Sequence, residues 1–203
     1  MGRCHGWVRI DLHTHTSDFS YDSNVAPDEL ITLARESGLD GIVLTEHDRI
    51  WPWEEVELLA RAMDFVVIPA VEVTTDLGHV LAFGLRELAA GATSARTLRQ
   101  HCDDEGALMY LAHPARGGSV RLRPEEMLDL FDGVEGINGS DGALQNEASA
   151  RSGRNCRLPA IAGSDTHARH EVGLAATEFP SAVRTLADLL SALRAGDYKG
   201  VNL

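Results

Sequence analysis

The sequence predicts an α/β fold with a largely parallel sheet closed into a barrel, and three observations carry that expectation. Apolar runs alternate with helical patterns along the 203 residues, as they do where strands are joined by crossover helices. Polar residues gather directly after the strand candidates, at His13/His15, His47, Glu72, His113 and Asp165/His167. An open doubly wound sheet collects ligands at one switch point, whereas a barrel brings every strand's C-terminal end around a single mouth. Closure also places the first strand near the last, so Asp11-Leu12-His13-Thr14-His15 and Gly163-Ser164-Asp165-Thr166-His167 can meet.

The elements follow in order. Trp7–Ile10 opens a strand over Val8–His13. In an extended chain, residues two apart face the same way. His13 and His15 therefore aim at one spot, with Asp11 one step deeper. Pro27 suits a first helical position; Leu30, Leu33 and Ala34 continue the helical period and Gly38 ends it. Further strands are expected at Gly41–Thr45, Phe65–Val73, His79–Phe83, Ala107–Leu111, Gly133–Ile137 and Ala160–Gly163. Helices are expected at Glu54–Met63, Ser94–Glu105, Pro124–Leu130, Ala143–Gly153 and Ser181–Ala195.

With 44% hydrophobic residues and no linker-like tract, one domain over 1–203 is expected. Met1–Gly6 has no signal-peptide apolar core, and Gly6 stands where a myristoylation signal wants Ser or Thr. No apolar run approaches a membrane span. The expectation is a soluble, cytoplasmic chain without a membrane partner. Cys4, Cys102 and Cys156 are scattered without paired spacing, which argues against a disulfide framework. The net charge of −13 argues against a stable nucleic-acid complex. A small anionic substrate stays compatible with it, because bound metals dominate the field of their own pocket. Oligomeric state leaves no mark in the sequence.

Six of the nine histidines stand at strand ends: His13, His15, His47, His79, His113 and His167. Together with Glu72 and Asp165 at one rim, they are hard to explain as packing. Imidazole mixed with carboxylate suits zinc, manganese or iron, whereas calcium and magnesium prefer oxygen alone. The set exceeds one coordination sphere, so two to three divalent ions are expected.

The motifs have a recognisable order. Asp11-Leu12-His13-Thr14-His15-Thr16, Leu44-Thr45-Glu46-His47-Asp48 and Ala70-Val71-Glu72-Val73-Thr74-Thr75 come first. Gly78-His79-Val80, Leu111-Ala112-His113-Pro114 and Gly163-Ser164-Asp165-Thr166-His167 follow. The series resembles the PHP (polymerase and histidinol phosphatase) family over about residues 8–180. The resemblance implies a distorted (β/α)7 barrel with a trinuclear metal site at the C-terminal ends of the strands. His13, His15, Glu72 and Asp165 would hold the first metal. Glu72 would be shared with a second, joined by His79 and His113. His47, His167 and an acid after His15 would hold the third. Many members carry that acid five residues after the second histidine, but position 20 here is Ser. Asp18 and Asp22 are the candidates, and Ser20-Tyr21-Asp22-Ser23 resembles a variant with the acid slightly later, which favours Asp22. Asp22 or Asn24 could also simply cap the following helix.

The activity implied is metal-dependent hydrolysis of phosphoesters, of small metabolites or nucleotides, by a metal-bridging hydroxide. Asp165, His167 and Arg116 are the expected catalytic groups. Arg116 is also expected to grip phosphate, its fork geometry suiting bidentate recognition, and Asn138 and His170 to touch substrate. Asp11 is expected either to orient a ligand imidazole or to be satisfied by backbone amides. Trp51-Pro52-Trp53 would overhang the mouth and stack a nucleobase, or cover apolar surface. Two other readings stand beside this one: a histidinol-phosphate phosphatase, and a metal-binding scaffold without catalysis. Eight of nine ligand positions are clearly filled, which weighs against the scaffold.

Overall fold

A computed structural model of the chain describes residues 7–116 and 122–203. Cys4 and the Met1–Gly6 segment lie outside the described residues. In chain order the elements are β1 (Val8–Thr14), α1 (Pro27–Glu36), β2 (Gly41–Leu44), α2 (Trp53–Met63), β3 (Val66–Pro69), β4 (Val71–Thr75) and β5 (Gly78–Phe83). Then come α3 (Ala95–Glu105), β6 (Leu108–Leu111), α4 (Pro124–Leu130), β7 (Gly133–Asn138), α5 (Ala143–Cys156) and β8 (Ala160–Gly163). A 3-10 turn at Arg169–Glu171, β9 (Ala175–Phe179), α6 (Leu186–Ala195) and β10 (Lys199–Asn202) complete the chain.

The strands form two mixed five-stranded sheets, ordered β10-β9-β1-β2-β3 and β4-β5-β6-β7-β8. The α/β class agrees with expectation; a single closed (β/α)7 ladder is not what the pairing forms. Single-residue bridges, Thr14–Thr166 and His47–Glu72, join the two sheets. The expected strand Phe65–Val73 divides at Ala70: Ala70 N and Glu72 N still donate to Leu44 O and Glu46 O at 2.9 and 3.1 Å, but from Val71 onward the ladder is made with β5. β3 stays parallel to β2, while β4 turns into the second sheet and pairs antiparallel with β5. This reversal also corrects the placing of the site at strand C-termini alone. His79 is the second residue of β5, and because β5 runs backwards its N-terminal end lies at the rim where parallel strands finish.

β9 and β10 were not expected from the sequence. Ala175-Ala176-Thr177-Glu178-Phe179 and Lys199-Gly200-Val201-Asn202 lack the β-branched apolar runs that mark a strand. They form because β1 offers β9 an antiparallel edge, from Val8–Phe179 to Ile10–Thr177, and β9 offers the next edge to β10. Two helix limits also moved. Gly153 does not end α5; a Cβ there would stand 2.7 Å from Val134 Cγ2, so the glycine lets helix and strand approach. α6 starts at Leu186 because Thr185 caps it, accepting from Asp188 N at 3.1 Å while Asp188 accepts from Thr185 N.

Ile10 and Leu12 pack with Ile161, Phe179 and Tyr110 in the apolar centre between the sheets. β8 crosses β1 so closely that a Cβ on Gly163 would lie 2.4 Å from His13 Cβ and 2.6 Å from His13 N. Backbone cannot swing aside as a side-chain tip can. Gly163→Ala should cost at least about 1–3 kcal/mol, the usual range for overpacking, and lower the melting temperature by several degrees. An unchanged melting temperature would show slack between β1 and β8. Among the described residues no helix is long and apolar enough to cross a membrane.

Candidate metal centre

Each side chain of the cluster is delivered by a strand end or the turn after it. His13 closes β1 and His15 follows it, His47 lies after β2, and Glu72 and His79 start β4 and β5. His113 follows β6, and Asp165 and His167 follow β8. Asp165 N donates to His13 O at 2.7 Å and His15 N to Thr166 O at 3.2 Å, locking the two walls together. Asp165 and His113 hold left-handed backbone, φ 54° and 27°. Non-glycine residues adopt that conformation at a cost, and such residues are enriched at functional sites.

Four atoms converge on one buried point. His13 Nε2 and His15 Nε2 are 3.1 Å apart. Each lies 3.4 Å from Glu72 Oε2 and 3.3 Å from Asp165 Oδ1. His13 Nδ1 meets Glu135 Oε1 at 2.9 Å; a carboxylate only accepts, so Nδ1 carries the hydrogen and Nε2 turns a lone pair inward. Glu72 Oε2 is buried without a hydrogen-bond partner. Carboxylate oxygens and imidazole nitrogens crowded at one buried point need a positive charge among them, either protons on the rings or a cation bound between them. A tetrahedral shell with ligands about 2.0–2.2 Å from a metal sets neighbouring donor atoms about 3.3–3.6 Å apart. The cluster fits a divalent ion on both counts.

Glu72 Oε1 reaches His79 Nδ1 at 2.9 Å and His113 Nε2 at 3.0 Å, while Oε2 lies 2.9 Å from His47 Nδ1. Further toward solvent, His47 Nε2 and His167 Nε2 are 3.4 Å apart, with Asp22 Oδ2 at 3.3 and 3.4 Å from them. His167 Nδ1 donates to Asp165 O at 3.0 Å, again leaving Nε2 as the free lone pair. Asp18 instead borders an exposed hollow with Pro27, Asp28 and Trp51. The structure thus brings Asp22, and not Asp18, to the histidine pair.

Charge coupling is strong throughout. Burial opposes a charged His13, but Asp165, Glu135 and Glu72 outweigh it and hold the imidazole well above its usual range. His15 is raised in the same way by Asp165 and Glu72 against burial; His79 is raised chiefly by its bond to Glu72. Burial pushes Glu72 and Asp165 up, yet the histidines around them win and hold both well below the carboxylate range.

For Asp11 and Trp51 the structure takes the second of the two roles the sequence left open, and for Arg116, Asn138 and His170 it adds surroundings the sequence could not show. Asp11 does not touch an imidazole: its Oδ1 accepts from His13 N at 3.1 Å and Ser164 N at 2.8 Å, and burial pushes its carboxyl up to about 7. The strand's rise carries the His13 ring away from it, and Glu135 of β7 reaches that ring instead. Arg116 points into the site but is tied down, Nε on Asp141 at 2.7 Å, one terminal nitrogen on Asp165 Oδ2 at 2.6 Å, the other on Asn138 Oδ1 at 2.8 Å. Asn138, expected to touch substrate, is buried; its amide nitrogen donates to Glu135 and Asp165 and its oxygen accepts from Arg116 and Ser140 N. That places it behind the ligands. His170 is exposed on the 3-10 turn, with no hydrogen bond among the described residues. Trp51 is buried against Phe19 and donates to Glu46 at 2.8 Å, and Arg86 covers Trp53 at 4.0 Å. The indole of Trp51 is therefore not available to stack a base.

Sequence reasoning missed the buried acids Glu46 and Glu135 and the part played by Glu171, whose carboxylate accepts from His167 N at 2.7 Å. A lone acid inside an otherwise apolar strand, as in Gly133-Val134-Glu135-Gly136-Ile137, was the available signal.

The PHP domain model matches residues 11–121, more than half the chain, and a PHP-associated model matches residues 143–198. The chain belongs to the PHP domain family. PsfC from Pseudomonas syringae is similar in structure, with a TM-score of 0.74 at 16% identity, covering 98% of this chain and 92% of that one. A two-domain protein of Bacteroides vulgatus containing a predicted PHP-like metal-dependent phosphoesterase matches with a TM-score of 0.70 at 21% identity, over 97% of this chain and 65% of its own. The lesion-specific endonuclease PfuEndoQ from Pyrococcus furiosus matches with a TM-score of 0.60 at 18% identity, over 96% of this chain and 57% of its own. At these identities the likeness is one of fold. The PHP assignment accounts for metal-type donors at one rim, with the family's motifs in their order.

Proposed function

We propose that residues 1–203 form one catalytic unit, a distorted barrel in effect, that hydrolyses small phosphoesters with two to three divalent ions of manganese, iron or zinc. The observation carrying this is the convergence of one ligand-type nitrogen or oxygen from each of His13, His15, Glu72 and Asp165 on a single buried point. Glu72, His79 and His113 would hold a second ion; His47, His167 and Asp22 a third. When bound, such ions acidify water and offset charge building on phosphoryl oxygens.

The remaining groups orient and bind. Arg116 has five N–H donors, of which three are engaged by Asp141, Asp165 and Asn138. Two are left for phosphoryl oxygens, and the ties that hold the guanidinium also pre-position it. Asp165 presents one oxygen to the cluster and the other to Arg116, so it sets the distance between them. The charge of −13 favours a small phosphoester over a polynucleotide, even with a lesion-specific endonuclease among the structural neighbours.

A panel of phosphomonoesters and diesters, including nucleotides and histidinol phosphate, tests the reading with metal-loaded protein. Turnover of several small esters is expected. No turnover of any member with any of the three metals would defeat it, and histidinol phosphate alone would redirect it. Asp22→Asn should weaken one metal site by at least about tenfold, the smallest change usual even for outer partners of a ligand, while Asp18→Asn should leave all sites intact. Calorimetric titration with Mn2+ separates the two variants; the reverse ranking would reassign the third site.

A further inference from the structure

Glu46 is fully buried directly before His47, and no cation pairs with it among the described residues. Four neutral donors surround its carboxylate: Thr16 N at 3.0 Å, Thr16 Oγ1, Trp51 Nε1 at 2.8 Å and Ser20 Oγ. Ser20 Oγ in turn lies 3.1 Å from His15 Nδ1 and 3.4 Å from His47 N. A serine hydroxyl has one hydrogen. Once it is given to Glu46, the oxygen can only accept from His15, so His15 must carry its hydrogen on Nδ1.

We infer that Glu46, acting through Ser20, is a positioning residue that fixes the His15 tautomer and aims the Nε2 lone pair at the metal point. The inference rests on the metal reading of the cluster. It gives the two walls different devices: His13 is set directly by Glu135, His15 at one remove by Glu46. It also gives the buried Ser20 a task. Ser20 serves behind His15, while its neighbour Asp22 reaches the outer histidine pair. The same carboxylate holds Thr16, ahead of Asp22, and Trp51, beyond His47, so it anchors one end of each segment.

Glu46→Gln reverses the chain of hydrogens. Trp51 N–H can only donate and reaches Oε1 alone, whereas Thr16 N is shared between Oε1 at 3.2 Å and Oε2 at 3.0 Å and can keep to Oε1, so the new amide nitrogen takes the side of Ser20. It then donates to Ser20 Oγ, the hydroxyl hydrogen turns to His15 Nδ1, and the imidazole keeps its hydrogen on Nε2. Nitrogen-15 spectra of labelled histidine in the metal-stripped full chain, at alkaline pH, read this directly. Wild type should show His15 protonated on Nδ1 and Glu46→Gln on Nε2. Ser20→Ala, which leaves Glu46 its Thr16 and Trp51 partners, should show both tautomers and so serves if Glu46→Gln folds poorly. Titration with Zn2+ alone should show affinity at the tightest site lowered by about 10–100-fold in both variants. Should His15 keep its hydrogen on Nδ1 in both variants, the relay is overturned while the metal reading stands. Should wild type fail to bind Zn2+, the metal reading falls and the positioning role with it.

Discussion

Glu72→Gln is expected to lower kcat/KM for a phosphoester by about 10³-fold or more, a loss near 4 kcal/mol of transition-state stabilisation. The reason is its place among the imidazoles. One oxygen contacts His79 and His113, and the other lies within 3.4 Å of His13, His15 and His47. The amide removes the negative charge shared by the ligand groups and turns an N–H toward lone pairs that point inward. Metal content should fall by more than one equivalent, because the Glu72 carboxylate lies against ligand histidines of all three groups. Kinetics on metal-reloaded protein, with elemental analysis of the same sample, check both parts. A variant retaining full metal and more than about a tenth of the rate would remove Glu72 from the centre of the mechanism.

The second large effect concerns stability after chelation. His13, His15 and His79 have raised pKa values in the metal-free fold. Their contribution is therefore complete below the ordinary histidine value of about 6.5 and is lost as pH rises through the raised values. Glu72 and Asp165 are lowered; their contribution is present above the ordinary carboxylate values of about 4 and is lost as pH falls through the lowered ones. The metal-free protein should be most stable between these limits. Raising the pH then strips protons that offset two buried carboxylates, unless metal replaces them. Chelator-treated protein should lose melting temperature as pH rises above about 6.5, by about 2–4 °C for each kcal/mol lost, while metal-loaded protein holds. A chelated sample whose melting temperature is flat or rises over that range would mean that the cluster is not charge-coupled as described.

Much of this site is visible in the sequence because chemistry is written in residue types and spacing. Histidine at alternate positions of one strand puts two rings on one face, and a second Asp-x-His after another strand supplies the opposite wall. The helices are visible for the same reason, being local in period. What sequence could not supply is pairing between distant segments. β9 exists because β1 leaves an edge open, not because Ala175–Phe179 favours a strand. The turn at Ala70 that separates β3 from β4 depends on which sheet receives each half. Hydrogen-bond partners are equally non-local. Arg116 looks like a free phosphate grip until Asp141, Asp165 and Asn138 are seen around it. Asp11 looks like the partner of His13 until Glu135 arrives from β7.

Metal content of freshly purified protein should be measured alongside its turnover of the phosphoester panel and compared with a His13→Ala/His15→Ala variant. Wild type should hold two to three equivalents of divalent metal with measurable turnover, and the double variant should lose turnover together with metal. One equivalent or none in the wild type, or turnover that survives the double replacement, would contradict hydrolysis at this metal centre.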